Sequence, residues 1–228
     1  MGIADVLALA NAQVSTPGTV SAVVGGLPCS HIPGITQVWA TQARAMAGPP
    51  EPGDLAEAIG WLRAHSPSWT VASRGEDAAS PVFGGLSVAI TLPAYVLDTP
   101  PPEVGTPLDI GPARDPGEFL TVYGAGLAPL VTPAHLAAPD LRYLVGRLDG
   151  IPVACARVAR LGPTAQVSGV AVLPGHRRHG FGTAISAAAT RLAGSLSDIV
   201  WLHATDISAP IYQRLGYRYV ADHVLLGE

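Results

Sequence analysis

Lysine is missing from this chain altogether, so all 13 basic residues among its 228 are arginines. Charged residues of both signs amount to only 13% and leave a formal net charge of −4. A chain so sparsely and negatively charged has no global positive field to attract nucleic acid or an anionic membrane, and neither is expected as a partner. Together with 26 glycines, 22 prolines and abundant alanine, the missing lysine reads as the codon bias of a GC-rich genome, and no function follows from it. Cysteine is nearly as scarce. Cys29 and Cys155 lie far apart and form neither a CxxC nor a zinc pattern, and Cys155, inside "IPVACARV", reads as a small buried hydrophobe. No apolar run approaches the ~18–20 residues that span a bilayer. The start, "MGIADVLALANAQ", carries Asp5 and no basic region, so it does not read as a signal peptide, and Met1-Gly2 lacks the later Ser or Thr of a myristoylation signal. These absences lead to the expectation of a cytoplasmic protein.

What is present is a chain long enough for one large domain or two small ones, with 48% hydrophobic residues to build a core. The stretch "LDTPPPEVGTPLDIGPARDPG", Leu97 to Gly117, cannot sustain a helix or a central strand, because proline removes donors and restricts its neighbour. It divides the chain into an expected N-terminal domain at 1–97, a linker at 98–117 and a C-terminal domain at 118–228. In the latter, Asp115 and Pro116 predict a helix start. "LRYLVGRL" and "IPVACARVAR" are β-type runs joined by Asp149-Gly150, a hairpin signal. "AQVSGVAVLP" is a further strand. Phe181, Ala184, Ile185, Ala188, Leu192 and Leu196 recur at helical spacing. "DIVWLHAT" reads as a strand, "SAPIYQRLG" as a short helix stopped by Gly216, and "YRYVADHVLL" as a closing strand or hairpin. This order predicts a mixed α/β or α+β sheet with helices packed on it.

Between strand and helix lies "HRRHGFG", His176 to Gly182. Such a loop exposes unpaired N–H groups at the positive end of a helix and suits phosphate, and its glycines let a ligand approach the backbone. A Walker A loop needs Gly-Lys-Ser/Thr, and the chain has no Lys; a GxGxxG fingerprint would need glycine where Ile185 stands. His176 and His179 have no third ligand nearby, so no metal is expected.

"V-x-x-V-x-V-L-P-x-x-R-R-x-G-x-G-T", Val167 to Thr183, resembles the acetyl-CoA-binding motif of the GNAT superfamily of N-acetyltransferases, whose core is Arg/Gln-x-x-Gly-x-Gly/Ala. Arg177, Gly180 and Gly182 fill the defining positions. "TDISAPIYQRLGY", Thr205 to Tyr217, resembles the family's Asn-x-x-Ala-x-x-Leu-Tyr-x-x-x-Gly-Phe, with Tyr212 and Gly216 matching and Thr205, Ser208, Ile211 and Tyr217 as near substitutions. The likeness covers roughly residues 106–228. It implies a GNAT fold in the C-terminal half, acetyl-CoA as co-substrate and an amine acceptor. Val170, Ala171 and Val172 would pair with the pantetheine amides. Arg177, Arg178, His179, Gly180, Phe181, Gly182 and Thr183 would receive the pyrophosphate, with Thr205 and Ser208 also at the cofactor, and Tyr212 would act as general acid. The carboxylate that many relatives carry on the corresponding strand is missing, and Ser168, His203 and Asp206 are the polar candidates for the base. "GDLAEAIGWLRAHSPSWTVASRG" followed by "GGLSVAITLPAYVLD" resembles the degenerate N-terminal half of tandem GNAT proteins, which implies a wall of the acceptor cleft and no second cofactor site. The acceptor, and the choice between monomer and homodimer, stay open.

Overall fold

The structure is a computed structural model and describes residues 2–12 and 16–228. Two compact units emerge, Met1–Ala94 with Val220–Glu228, and Tyr95–Tyr219. The first contains α1 (Ile3–Ala12), β1 (Val20–Val24), β2 (Leu27–His31), β3 (Thr41–Ala45), α2 (Pro52–His65) and β4 (Thr70–Arg74), and β5 (Ser87–Leu97) leads out of it. The second contains β6 (Asp109–Pro112), α3 (Pro116–Tyr123), α4 (Pro133–Ala137), β7 (Leu141–Leu148), β8 (Ile151–Leu161), β9 (Thr164–Val172), α5 (Phe181–Gly194), β10 (Ile199–His203) and α6 (Ala209–Arg214). From it β11 (Tyr217–Gly227) returns to the first unit. The Pro-rich stretch therefore falls within the second unit. Among the described residues its strand β6 pairs only with β7, at an edge, where the missing N–H of Pro112 removes no ladder bond on the open side.

The second unit orders its sheet β10-β9-β8-β7-β6. Its local signals act as their chemistry dictates. Asp115 caps α3 by accepting from the Glu118 N–H at 2.9 Å, with Pro116 in the first turn. β7 and β8 meet through Asp149 and Gly150, whose φ values of 50° and 81° give the left-handed turn that matches strand twist. The helix α4 escaped the sequence reading because it is a single turn, held by Thr132, whose hydroxyl accepts from the His135 N–H.

α5 differs from its expected face. Phe181, Ala184 and Ile185 are buried as expected, but Ala188 and Leu192 are only partly covered, and Leu196 lies past the helix end. Ser186, Ala187, Ala189, Thr190 and Ala193 are buried instead. These small residues let α5 lie close against β8 and β9 and bury much of its circumference.

The first unit repeats the pattern in abbreviated form. β1 and β2 form a hairpin, β2 pairs antiparallel with β3, and α2 crosses over to β4, which lies parallel to β3. In the second unit β7, β8, β9, α5 and β10 follow the same order. Glu51 precedes α2 without a side-chain cap bond, so Pro52 in the first turn and Asp54 are the features that mark its start. Cys29 and Cys155 are both free and buried, and burial pushes their thiols up to about 11 and about 12.

Candidate active site

β9 is paired on its two sides for different lengths. Against β8 its ladder continues to Val172, whereas β10 partners only Thr164, Ala165 and Gln166. From Val167 to Val172 one edge of β9 has no ladder partner among the described residues, so the two parallel strands separate there. A bulge coincides with the separation: Cys155 opposes Ala171 while Arg157 opposes Ser168, three steps on β9 against two on β8. Gly169 forms it with φ at 60°, and a Cβ there would stand 3.4 Å from the Tyr123 ring and 3.5 Å from Arg157 Cβ. Val170, Ala171 and Val172 thus run along an edge where no strand among the described residues takes the outward-facing backbone groups, the capacity that an extended amide chain can use.

The loop after β9 turns sharply before α5. A 3₁₀ turn at Pro174–His176 leads to Arg177, whose Nε donates back to the Val172 carbonyl at 3.1 Å. Arg178 has a φ of 67°, and Gly180, in front of α5, has 81°. That left-handed step at Gly180 aims the first turn of α5 outward at little steric cost. The amides of Phe181, Gly182 and Thr183 make no hydrogen bond within the described chain; the first to do so is Ala184, to the Gly180 carbonyl. His179 and Arg178 are exposed beside them, and His176 and His179 flank the Phe181 ring at 6.4 and 5.8 Å. The Phe181 side chain belongs to the core, so only its backbone faces the loop. At Gly182 an added Cβ would meet only Val172 Cγ2, at 3.7 Å.

Tyr212, on α6, is 8% exposed and packs edge-on against Tyr217 at 5.9 Å. Burial raises its phenol above the ordinary value, and the nearby Ser186 hydroxyl opposes the shift. Thr205 and Ser208 bond to each other ahead of α6: the Thr205 N–H donates to Ser208 Oγ at 3.0 Å, and the Ser208 and Ala209 N–H groups return to the Thr205 carbonyl. Of the candidate bases, Ser168 accepts from Arg157 Nε at 3.2 Å, His203 packs edge-on against Trp201, and Asp206 is exposed. The sequence reading gave Arg157 no role. Its only signal was that it is one of two arginines, with Arg160, in an otherwise apolar strand.

Among the described residues, no group of three or more His, Cys, Asp or Glu is arranged to hold a metal ion, and no helix is long and apolar enough to cross a membrane. Residues 117–217 match the model of the acetyltransferase (GNAT) family. No curated protein matches the chain. Among solved structures, a GCN5-related N-acetyltransferase from Kribbella flavida is 25% identical, with 100% of this chain and 96% of that one covered and a TM-score of 0.77. A tandem GNAT protein from the clavulanic acid biosynthesis pathway, 14% identical, covers 98% of this chain and 86% of its own at 0.60. A GCN5-related N-acetyltransferase-like protein from Streptococcus suis, also 14% identical, covers 88% and 82% at 0.58. The fold likeness thus extends over both units, and the match to the GNAT acetyltransferase family lies at residues 117–217.

Proposed function

We propose that this protein is an acetyl-CoA-dependent N-acetyltransferase that passes an acetyl group directly to a primary amine while both substrates are bound. One observation carries the reading: the free edge of β9 runs into a loop where the amides of Phe181, Gly182 and Thr183 are unpaired beside Arg177 and Arg178. Unpaired amides at a helix start, supplemented by guanidinium groups, fit a pyrophosphate; an unpaired strand edge fits the amides of pantetheine. The residues assigned to the co-substrate are accordingly Val170 to Val172, Arg177 to Thr183, Thr205 and Ser208.

The bound thioester supplies the activated acetyl group. Tyr212 holds a proton at its hydroxyl, which its raised pKa keeps in place at neutral pH, and releases it to the departing thiolate. The amine must lose a proton in exchange, and His203 or Asp206 takes it, directly or through water. A second reading, a catalytically silent acyl-CoA-binding module, is supported by the lack of a carboxylate on β9 and the near-complete burial of Tyr212. Thiol release from acetyl-CoA across a broad amine panel separates the two. Amine-dependent release is expected; coenzyme A binding with no turnover on any amine would leave the silent module.

A further inference from the structure

Arg157, half-buried, stands apart from Arg147, the buried arginine of its unit. Arg147 is held by Glu118 through two short bonds, whereas no carboxylate lies within ion-pair distance of Arg157 among the described residues. Half-buried on β8, it uses Nε on Ser168 Oγ. The groups that feel its charge are Tyr123, Tyr143 and His135, none of them an acid at neutral pH, and Tyr143 also hydrogen-bonds it. A guanidinium drawn partly out of water among neutral partners has hydrogen bonds but no counter-charge, which an anion would supply.

The surrounding polar groups are also under-used. Tyr143 donates to the Leu130 carbonyl at 2.9 Å and is satisfied. The Tyr123 hydroxyl, however, makes no hydrogen bond within the described chain, although its ring tip reaches the bulge at Gly169. His135, 1% exposed, shares Nδ1 with the Thr132 hydroxyl, and its buried Nε2 has no partner. A buried nitrogen without a partner, as at His135, is uncommon unless a ligand completes it. Position adds the decisive constraint. Arg157 is the cross-strand partner of Ser168, which lies on the free edge of β9 one residue before the bulge. An anion held there would lie beside the strand to which the acetyl donor is assigned.

We propose that Arg157, with Ser168 and Tyr123, anchors a carboxylate of the acceptor, so that the acceptor is a small amino carboxylate. The assignment rests on the transferase reading above. Arg157 supplies a planar fork of donors that matches a carboxylate, and the two hydroxyls add donors around its edge. Arg157 is then a specificity residue, which sets where the amine stands without taking part in proton transfer.

The test pairs equilibrium binding with kinetics. Calorimetry on the parent, Arg157→Gln and Arg157→Lys would use free and N-acetylated amino acids, their carboxamides, and an aminoalkyl phosphate, with melting curves to verify folding. The acids should bind the parent roughly 10- to 100-fold more tightly than the amides, as expected for charge-assisted hydrogen bonds. Arg157→Gln should remove that preference, leave amide binding and the KM for acetyl-CoA unchanged, and Arg157→Lys should restore part of it. Equal binding of acids and amides, equal loss of both in Arg157→Gln, or a preference for phosphate would overturn the proposal. If Arg157→Gln does not fold, the acid-against-amide comparison on the parent decides alone. The two readings fail separately. Arg157-dependent carboxylate binding without turnover of any amine keeps the anchor and removes the transferase; turnover of neutral amines that ignores Arg157→Gln does the reverse.

Discussion

Tyr212 sits where burial and chemistry make different demands. Its ring is packed against Tyr217 and counts among the core, so Tyr212→Phe preserves the packing and removes the hydroxyl with its proton and its bond to Ser186. If that proton goes to the thiolate, turnover should fall by about 10²- to 10⁴-fold with coenzyme A affinity nearly unchanged. Rates and affinities of the folded variant, measured beside the parent, decide it. Turnover within about twofold, well below a general acid's contribution, would remove Tyr212 from the mechanism unless product release were shown to limit the rate. Gly182 offers a cleaner separation of fold from ligand. A methyl group there makes only an ordinary contact with Val172, so Gly182→Ala should leave the melting temperature almost unchanged. Gly182→Asp should fold as well but weaken coenzyme A binding by crowding and by charge repulsion beside the pyrophosphate. Unchanged affinity in calorimetry would reduce the loop to a turn.

Among the elements, α3 shows how a charged pair can join three segments at once. Glu118 accepts from Arg147 Nε and one terminal nitrogen at 2.6 and 2.7 Å, and from the Arg114 N–H at 2.7 Å, while Arg147 also donates to the Pro112 carbonyl of β6 at 2.9 Å. Both side chains are nearly enclosed. The hydrogen bonds from Arg147 hold the Glu118 carboxyl below its ordinary range. As pH falls, the unfolded chain therefore takes up this proton before the folded one. The stabilisation is complete above the ordinary carboxylate value of about 4.3 and is lost as pH drops toward the lower folded value. Glu118→Gln leaves Arg147 buried and uncompensated, and should cost about 3–5 kcal/mol at neutral pH. It should also flatten the acid limb of the stability curve. Denaturant unfolding of parent and variant over a pH series tests both, and identical acid limbs would mean that the pair contributes no linkage.

For the whole molecule, the repeated order of elements raises the question of how many acyl carriers one chain holds. β3 and β4 stay paired from Gln42 with Thr70 through Ala45 with Ser73, the last residue of β3, so no edge is freed there. The helix that follows begins at Pro52, which has no N–H to offer, with Glu51 and Asp54 around it. Missing donors and two carboxylates oppose a pyrophosphate for the same reasons that the start of α5 suits one. Calorimetric titration should therefore give one coenzyme A per chain. A stoichiometry of two would overturn this account of the first unit.

The features legible in the chain are those that a few neighbouring residues enforce. Asp115 before Pro116, Asp149-Gly150 between two β-type runs, and Gly180 between strand and helix each specify backbone geometry over one turn, and each adopts in the structure the conformation that its chemistry favours. Other features depend on partners distant along the chain. Gly169 reads as an ordinary strand glycine until β8 supplies the mismatched register that makes it a bulge, and α5 chose its buried face by how closely small residues could approach β8 and β9. Residues 220–228 join the first unit because His223 to Leu226 pair with β4, about 150 residues earlier, and nothing local announces that pairing. Arg157 is the same case at the site: its meaning comes from Tyr123, His135 and Ser168, brought round it by three other elements. Local chemistry can state what a segment prefers, but a missing counter-ion is a property of a neighbourhood, and the neighbourhood exists only once the sheet has formed.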